Sequence, residues 1–365
     1  MSRVFESFGL VLSGGGARGA YEVGVAKYLA DQNYIPAAYA GASIGALNAS
    51  FLGTASTFQA GVKHLEQIWG SIQSNDVVKL NKGLFVFGFL HALFKRSLQS
   101  RPELALVNPL LQLAADSSRF FGRLGQVSRL LSDNPLYSNL QKGLLDDGFL
   151  RNLLEEELAL YRVEHAAPIW ISAYASQGTV DDILAYLLSN LGIKDNPDSE
   201  YFKLSEIDEK QRLSVILASA AIPVVYGSHI VEGKRYIDGG VGGERTARGN
   251  TPLAPLVASG CRQCIVVNLS DGAMFNRHDF PDTVIIEVRP ETSIHPDGML
   301  SSLLDFREDR IKDLISMGYS DAERCIGNAL LALNLVQDGR RSTLIRDESI
   351  RRLENDGFDE MLKKL

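Results

Sequence analysis

The sequence predicts an α/β fold: a mostly parallel central sheet with helices on both faces, a three-layer α/β/α sandwich. Three observations predict it. Short apolar runs twice break at a glycine-rich turn into a helical pattern, first after Phe8–Leu12 and again after Ala38–Ala40. Strand, turn and helix repeated in that order describe parallel strands joined by helical crossovers. The chain of 365 residues is 45% hydrophobic and 22% charged, close to a soluble globular average and long enough to bury a sizeable core. That composition excludes a disordered chain, a collagen-like chain and a disulfide scaffold.

Taken in order, Phe8–Leu12 is a short buried strand that ends in Ser13-Gly14-Gly15-Gly16-Ala17-Arg18-Gly19. A helix follows, with Ala20, Val23, Gly24, Ala26, Lys27 and Leu29 at helical spacing, and Asn33 and Pro36 end it. Ala38–Ala40 is the second strand; it breaks at Gly41-Ala42-Ser43-Ile44-Gly45, and Ile44–Leu52 reads as helix. Ile169–Ala175 is a strand, and Asp195–Ser199 a surface turn. His229–Val231 and Tyr236–Ile237 flank Glu232-Gly233-Lys234-Arg235 as a β-hairpin. Cys264–Leu269 and Thr283–Val288 are two further strands, and from Ser301 onward the pattern is helical. No internal repeat stands out, and no linker divides two domains.

The formal net charge is −7, which argues against general nucleic-acid binding. Lys79–Leu131 has the opposite sign. Its eight basic residues face only Glu103 and Asp116, a net +6 that leaves −13 for the rest of the chain. The same segment holds Phe85, Phe87, Phe89, Phe94, Phe120 and Phe121. Basic and aromatic residues at roughly helical spacing suit a surface that meets anionic lipid headgroups, with Phe85, Phe87, Phe89, Lys95 and Arg96 as the lipid-facing candidates. A helical cap with solvated arginines is the competing expectation. The longest nearly uncharged apolar run, Gly83–Phe94, is too short to span a bilayer, which takes about 20 residues. The N-terminus lacks a basic segment followed by an apolar one, so no signal peptide is expected, and the expected location is cytoplasmic, peripheral at the membrane. Cys261, Cys264 and Cys325 cannot build a disulfide framework; the lone C-x-x-C runs into a strand and reads as core thiols in a reducing compartment. No carboxylate or imidazole cluster has ligand spacing, so no metal and no cofactor is expected.

Two glycine turns carry chemistry. Gly14-x-Gly16-x-x-Gly19 follows a strand and opens a helix, but the second strand ends in Gly41-Ala42-Ser43, with no acid to hold a ribose, and no Gly-Lys-Ser/Thr follows. What remains is a nest of glycine N–H groups at a helix start, which attracts negative charge: a phosphate or a transient oxyanion. Gly41-x-Ser43-x-Gly45 places a serine at a sharp strand-to-helix turn, where its hydroxyl is exposed and the helix dipole favours the alkoxide. Such a serine needs a base. Asp238-Gly239-Gly240 closes the hairpin strand and is one candidate; a Ser-Asp-His order would instead require His278 or His295, neither set in a motif.

In this order the three motifs, with Ala218-Ser219-Ala220-Ala221-Ile222-Pro223 before the last, resemble the patatin-like phospholipase family from about Gly9 to Val257. The resemblance implies a catalytic domain over residues 9–257, with 79–131 as an insert acting as lid or membrane dock, and residues 258–365 packed on the same sheet. It implies a Ser43–Asp238 dyad, an oxyanion hole of Gly14, Gly15 and Gly16 supported by Arg18, and Gly19, Gly41, Gly45, Gly239 and Gly240 as motif glycines. The implied function is acyl hydrolysis of phospholipids or other acyl-ester lipids. An acyltransferase or thioesterase on the same nucleophile, and a catalytically idle lipid-binding protein, are the alternatives. The insert and the helical C-terminus each offer a contact for a homodimer.

Overall fold

The computed structural model describes residues 7–72, 148–178, 196–221, 227–243, 245–269, 277–295 and 305–354, with positions 182, 302, 303 and 362. The segment 79–131, and with it Phe85, Phe87, Phe89, Lys95 and Arg96, lies outside the described residues, as do Ile222 and Pro223.

The described strands are β1 (Gly9–Leu12), β2 (Ala38–Ala42), β3 (Ile169–Ala175), β4 (Glu200–Lys203), β5 (His229–Val231), β6 (Lys234–Asp238), β7 (Gln263–Val267) and β8 (Val284–Val288). They form one sheet in the order β5-β6-β3-β2-β1-β7-β8, with β4 also on β3. The run from β3 through β2, β1 and β7 to β8 is parallel; β4, β5 and β6 pair antiparallel. The described α-helices are α1 (Gly19–Asp31), α2 (Ile44–Thr54), α3 (Phe58–Ser71), α4 (Gly148–Glu157), α5 (Glu209–Ser219), α6 (Ala254–Ala258) and α7 (Glu308–Glu354).

Side chains alternate across the central strands, so each strand feeds two cores. Leu10, Leu12, Tyr39, Ile265 and Val267 enter the larger core, where α1, α2, α3, α5 and α7 contribute Tyr21, Leu47, Trp69, Ile216 and Leu314. Val11, Ala38, Ala40, Cys264 and Val266 enter a smaller one closed by Leu253 and Leu256 on or beside α6. Two helices begin on side-chain caps: Thr57 accepts from the Ala60 amide before α3, and Asp208 from the Lys210 amide before α5. The α1–α7 crossing is very close. A Cβ on Gly24 would lie 2.0 Å from the Ile315 carbonyl, and one on Gly318 would lie 2.0 Å from that of Tyr21.

Some boundaries differ from the sequence reading. The hairpin turn is only Glu232-Gly233, both at positive φ (48° and 79°), the two-residue geometry that matches strand twist, so β6 reaches from Lys234 to Asp238. β7 stops at Val267 because Leu269 leaves the strand, packs near Gly15 and gives its carbonyl to Arg18. The C-terminal helix α7 begins at Glu308, where Asp305 accepts from the Arg307 amide and guanidinium. β4, α3, α4, α5 and α6 are elements that the sequence reading did not anticipate.

Candidate active site

β1 and β2 are adjacent and parallel, with Leu12 opposite Gly41, so the glycine loop after β1 and the serine turn after β2 leave the sheet side by side. Ligands of open α/β sheets collect at these carboxyl ends. Ser43 sits at φ 52°, ψ −126°, a strained backbone for a residue with a side chain. The flanking glycines are steric requirements. A Cβ on Gly41 would stand 2.3 Å from the Gly45 carbonyl, and one on Gly45 2.3 Å from that of Leu12. The turn is held from below: the Ser43 amide donates to Ser219 Oγ at 2.9 Å, and that hydroxyl donates to the Ser172 carbonyl at 2.6 Å. α2 starts directly after Ser43, which places its positive end at the hydroxyl.

Asp238 ends β6 opposite Ala173, and its amide donates to the Ala221 carbonyl at 3.0 Å. Across 195 positions of sequence, Ser43 Oγ donates to Asp238 Oδ2 at 2.6 Å. The other carboxylate oxygen accepts from the Gly240 amide at 2.8 Å. Both side chains are buried, Ser43 at 6% exposure and Asp238 at 3%. Burial pushes the Asp238 carboxyl from its ordinary value near 3.8 up to about 6, against the lowering effect of its hydrogen bonds from Ser43 and Gly240. Gly239 is required by close approach, since a Cβ there would meet the Ser172 carbonyl at 2.2 Å.

The glycine loop lies against Ser43: a Cβ on Gly14 would be 3.0 Å from that of Ser43 and 2.3 Å from Asn250 Oδ1. The Gly14 amide is already engaged, donating to the Asn250 carbonyl at 3.1 Å. Among the described residues it is the one of the three expected donors seen tied to the protein itself. Gly16 takes φ 57°, and a Cβ there would meet the Leu303 carbonyl at 2.3 Å. Arg18, buried at 6% exposure, donates from Nε to the Gly15 carbonyl at 2.9 Å and from Nη1 to that of Leu269 at 2.7 Å, and also touches the His295 ring. It fixes the loop rather than reaching Ser43. Gly19 gives room to Ile44, whose Cγ1 would be 2.6 Å from a Cβ at that position. Beneath both turns, Asn48 on α2 donates to the Gly19 carbonyl and to buried Glu22 and accepts from Trp69.

Among the described residues no histidine hydrogen-bonds Ser43 or Asp238; His295 instead contacts Arg18 and Ser302. Among them, too, no group of three or more His, Cys, Asp or Glu could hold a metal, and no helix is long and apolar enough to cross a membrane. Ser172 and Asn250 were not singled out from sequence, and Ser219 only as part of a motif. A buried serine or asparagine in a turn carries no signal until its partners are known.

Fold and site together define an α/β protein built around a strained serine turn that faces a buried carboxylate. The sequence matches the patatin-like phospholipase family over residues 10–257, and the chain belongs to that family. Among solved structures it is similar to VipD from Legionella pneumophila, at 16% identity and a TM-score of 0.36, covering 85% of this chain and 67% of that one. It is also similar to full-length ExoU, in complex with SpcU from the type III secretion system of Pseudomonas aeruginosa, at 13% identity and a TM-score of 0.26, covering 86% and 52%. The chain thus spans about two thirds of the VipD chain and about half of that matched with ExoU. No curated protein matches it. Family membership supports acyl hydrolysis of lipids as its class of chemistry.

Proposed function

We propose that the chain is a carboxylic ester hydrolase acting on phospholipids or related acyl-ester lipids through a Ser43–Asp238 dyad. Ser43 Oγ attacks the ester carbonyl while Asp238 Oδ2 takes its proton. The alcohol then leaves with that proton, and Asp238 activates the water that splits the acyl-enzyme. The developing oxyanion is met by the Gly15 and Gly16 amides and the start of α2; such donors each contribute about 2.7–4 kcal/mol. Gly14, with its amide engaged by Asn250, positions the loop, and Arg18 holds the Gly15 carbonyl away from the oxyanion. A carboxyl with its proton affinity raised to about 6 is a better base at neutral pH than one near 3.8.

The observation that supports this reading best is the 2.6 Å hydrogen bond between two buried side chains at a strained turn. Ser43→Ala, assayed by lipid product analysis on phospholipid vesicles, is expected to lose at least about 10³-fold in hydrolysis. The wild type is expected to take up a fluorophosphonate at Ser43. Full product formation by the alanine variant would refute the assignment. Peripheral membrane contact belongs to the same proposal and rests on the composition of residues 79–131.

A further inference from the structure

Cys261 and Cys264 stand at the other end of the sheet from Ser43: Cys264, the second residue of β7, lies opposite Gly9, the first residue of β1. Gly260, at φ 99°, ends α6 and turns the chain so that Cys261 comes back over the strand. Both sulfurs converge on one point, since a Cβ on Gly9 would lie 3.4 Å from Cys261 Sγ and 3.5 Å from Cys264 Sγ. The two thiols thus face the same point at the start of β1. Their exposure differs: Cys264 is buried, at 1%, while Cys261 is partly open to solvent.

We propose that Cys261 and Cys264 form an oxidisable dithiol site, with Cys261 the residue that meets a hydroperoxide and Cys264 the one that resolves it into a disulfide. The environment divides the labour. The neighbouring Cys264 thiol lowers the Cys261 thiol to about 7, while the same proximity and burial push Cys264 up. Near neutral pH about half of Cys261 is thus thiolate, while Cys264 keeps its proton. The Cys261 thiolate attacks one peroxide oxygen; the O–O bond breaks, hydroxide leaves, and Cys261 becomes a sulfenic acid. Cys264 sulfur then attacks Cys261 sulfur. The S–S bond forms, the S–O bond breaks, and the departing hydroxide takes the Cys264 proton as water. Two thiols are oxidised and one peroxide is reduced. Cys264 is a core thiol, whereas Cys261 packs against the smaller core and stays partly open to solvent. The site shares no residue with Ser43 or Asp238, so its test is independent of the hydrolase proposal.

Trypsin cuts after Arg262, between the two cysteines, and separates peptide 249–262 from peptide 263–277. The whole chain, treated with hydrogen peroxide, blocked with N-ethylmaleimide and digested without reductant, is expected to yield these two peptides joined and two hydrogens lighter, and reductant should part them. Cys325 should remain fully alkylated. In Cys264→Ser, dimedone should trap a sulfenic acid on Cys261; in Cys261→Ser, oxidation of Cys264 should be at least about 10-fold slower. Alkylation of Cys261 in the untreated protein should be half-maximal near pH 7 rather than the ordinary value of about 8.5. Recovery of the two peptides unlinked, with Cys261 intact or carried on to the sulfinic acid, would overturn the proposal.

Discussion

Asp238 accepts two hydrogen bonds that favour its charged form, yet its proton affinity rises because burial outweighs them. The folded state keeps this proton up to about pH 6, whereas an unfolded chain releases it near 3.8. The group therefore favours folding most below about 3.8, and that advantage is lost as pH rises through 6. Above pH 6 the buried charge costs roughly 3 kcal/mol relative to a neutral group. Two outcomes follow. The kcat/KM of the wild type should rise through a pKa near 6 and then level off. Asp238→Asn should be inactive but more stable in urea at pH 8, by up to about 3 kcal/mol, with the gain gone by pH 4. A flat pH profile across 5 to 7, or an asparagine variant less stable than wild type at pH 8, would contradict this account.

Helix α7 shows how one residue type can serve opposite ends within a single element. At Gly318 an added methyl meets backbone of α1, whereas at Gly327 nothing lies within 4 Å. Gly318→Ala should thus lower stability by about 1–3 kcal/mol through overpacking. Gly327→Ala should raise it by about 0.5–1 kcal/mol by removing the entropic cost of a helical glycine. Thermal and urea unfolding of the two variants check the pair, and equal effects would show that the α1–α7 crossing yields easily. Legibility followed the same local logic. The β1 and β2 turns were readable because apolar runs met glycine clusters that only a strand-to-helix bend explains. β4 was not, since Glu-Tyr-Phe-Lys pairs on part of the β3 edge and buries none of its residues fully. α5 was missed although Asp208 followed by Glu209 marks its start, because the basic and acidic residues beyond mask its apolar face and Arg212 is buried in that helix. At the site, Ser43 and Asp238 were legible from motif order, but Ser219 and Asn250 act through backbone contacts that no spacing announces.

Across the whole molecule the charge is uneven, with a net +6 between residues 79 and 131 set against −13 elsewhere. An acidic body alone would be repelled by anionic lipid, so the basic segment is the part suited to bring the site to a membrane. Deleting residues 79–131 should reduce hydrolysis of anionic vesicles at least about 10-fold more than hydrolysis of a short, soluble p-nitrophenyl ester, with the excess shrinking at high salt. Equal losses on both substrates would make the segment a packing element of the catalytic body instead.

Register is what delivers Asp238. The hairpin pairs His229 with Tyr236 and sets Asp238 opposite Ala173, and neighbouring side chains on a strand point to opposite faces. A lesion that removes one codon between 229 and 237 would move the following residues back by one and present Gly239 in place of the carboxylate, with all three sequence motifs still intact to the eye. On the proposed dyad, a change in the length of that hairpin should silence the site as surely as the loss of the serine.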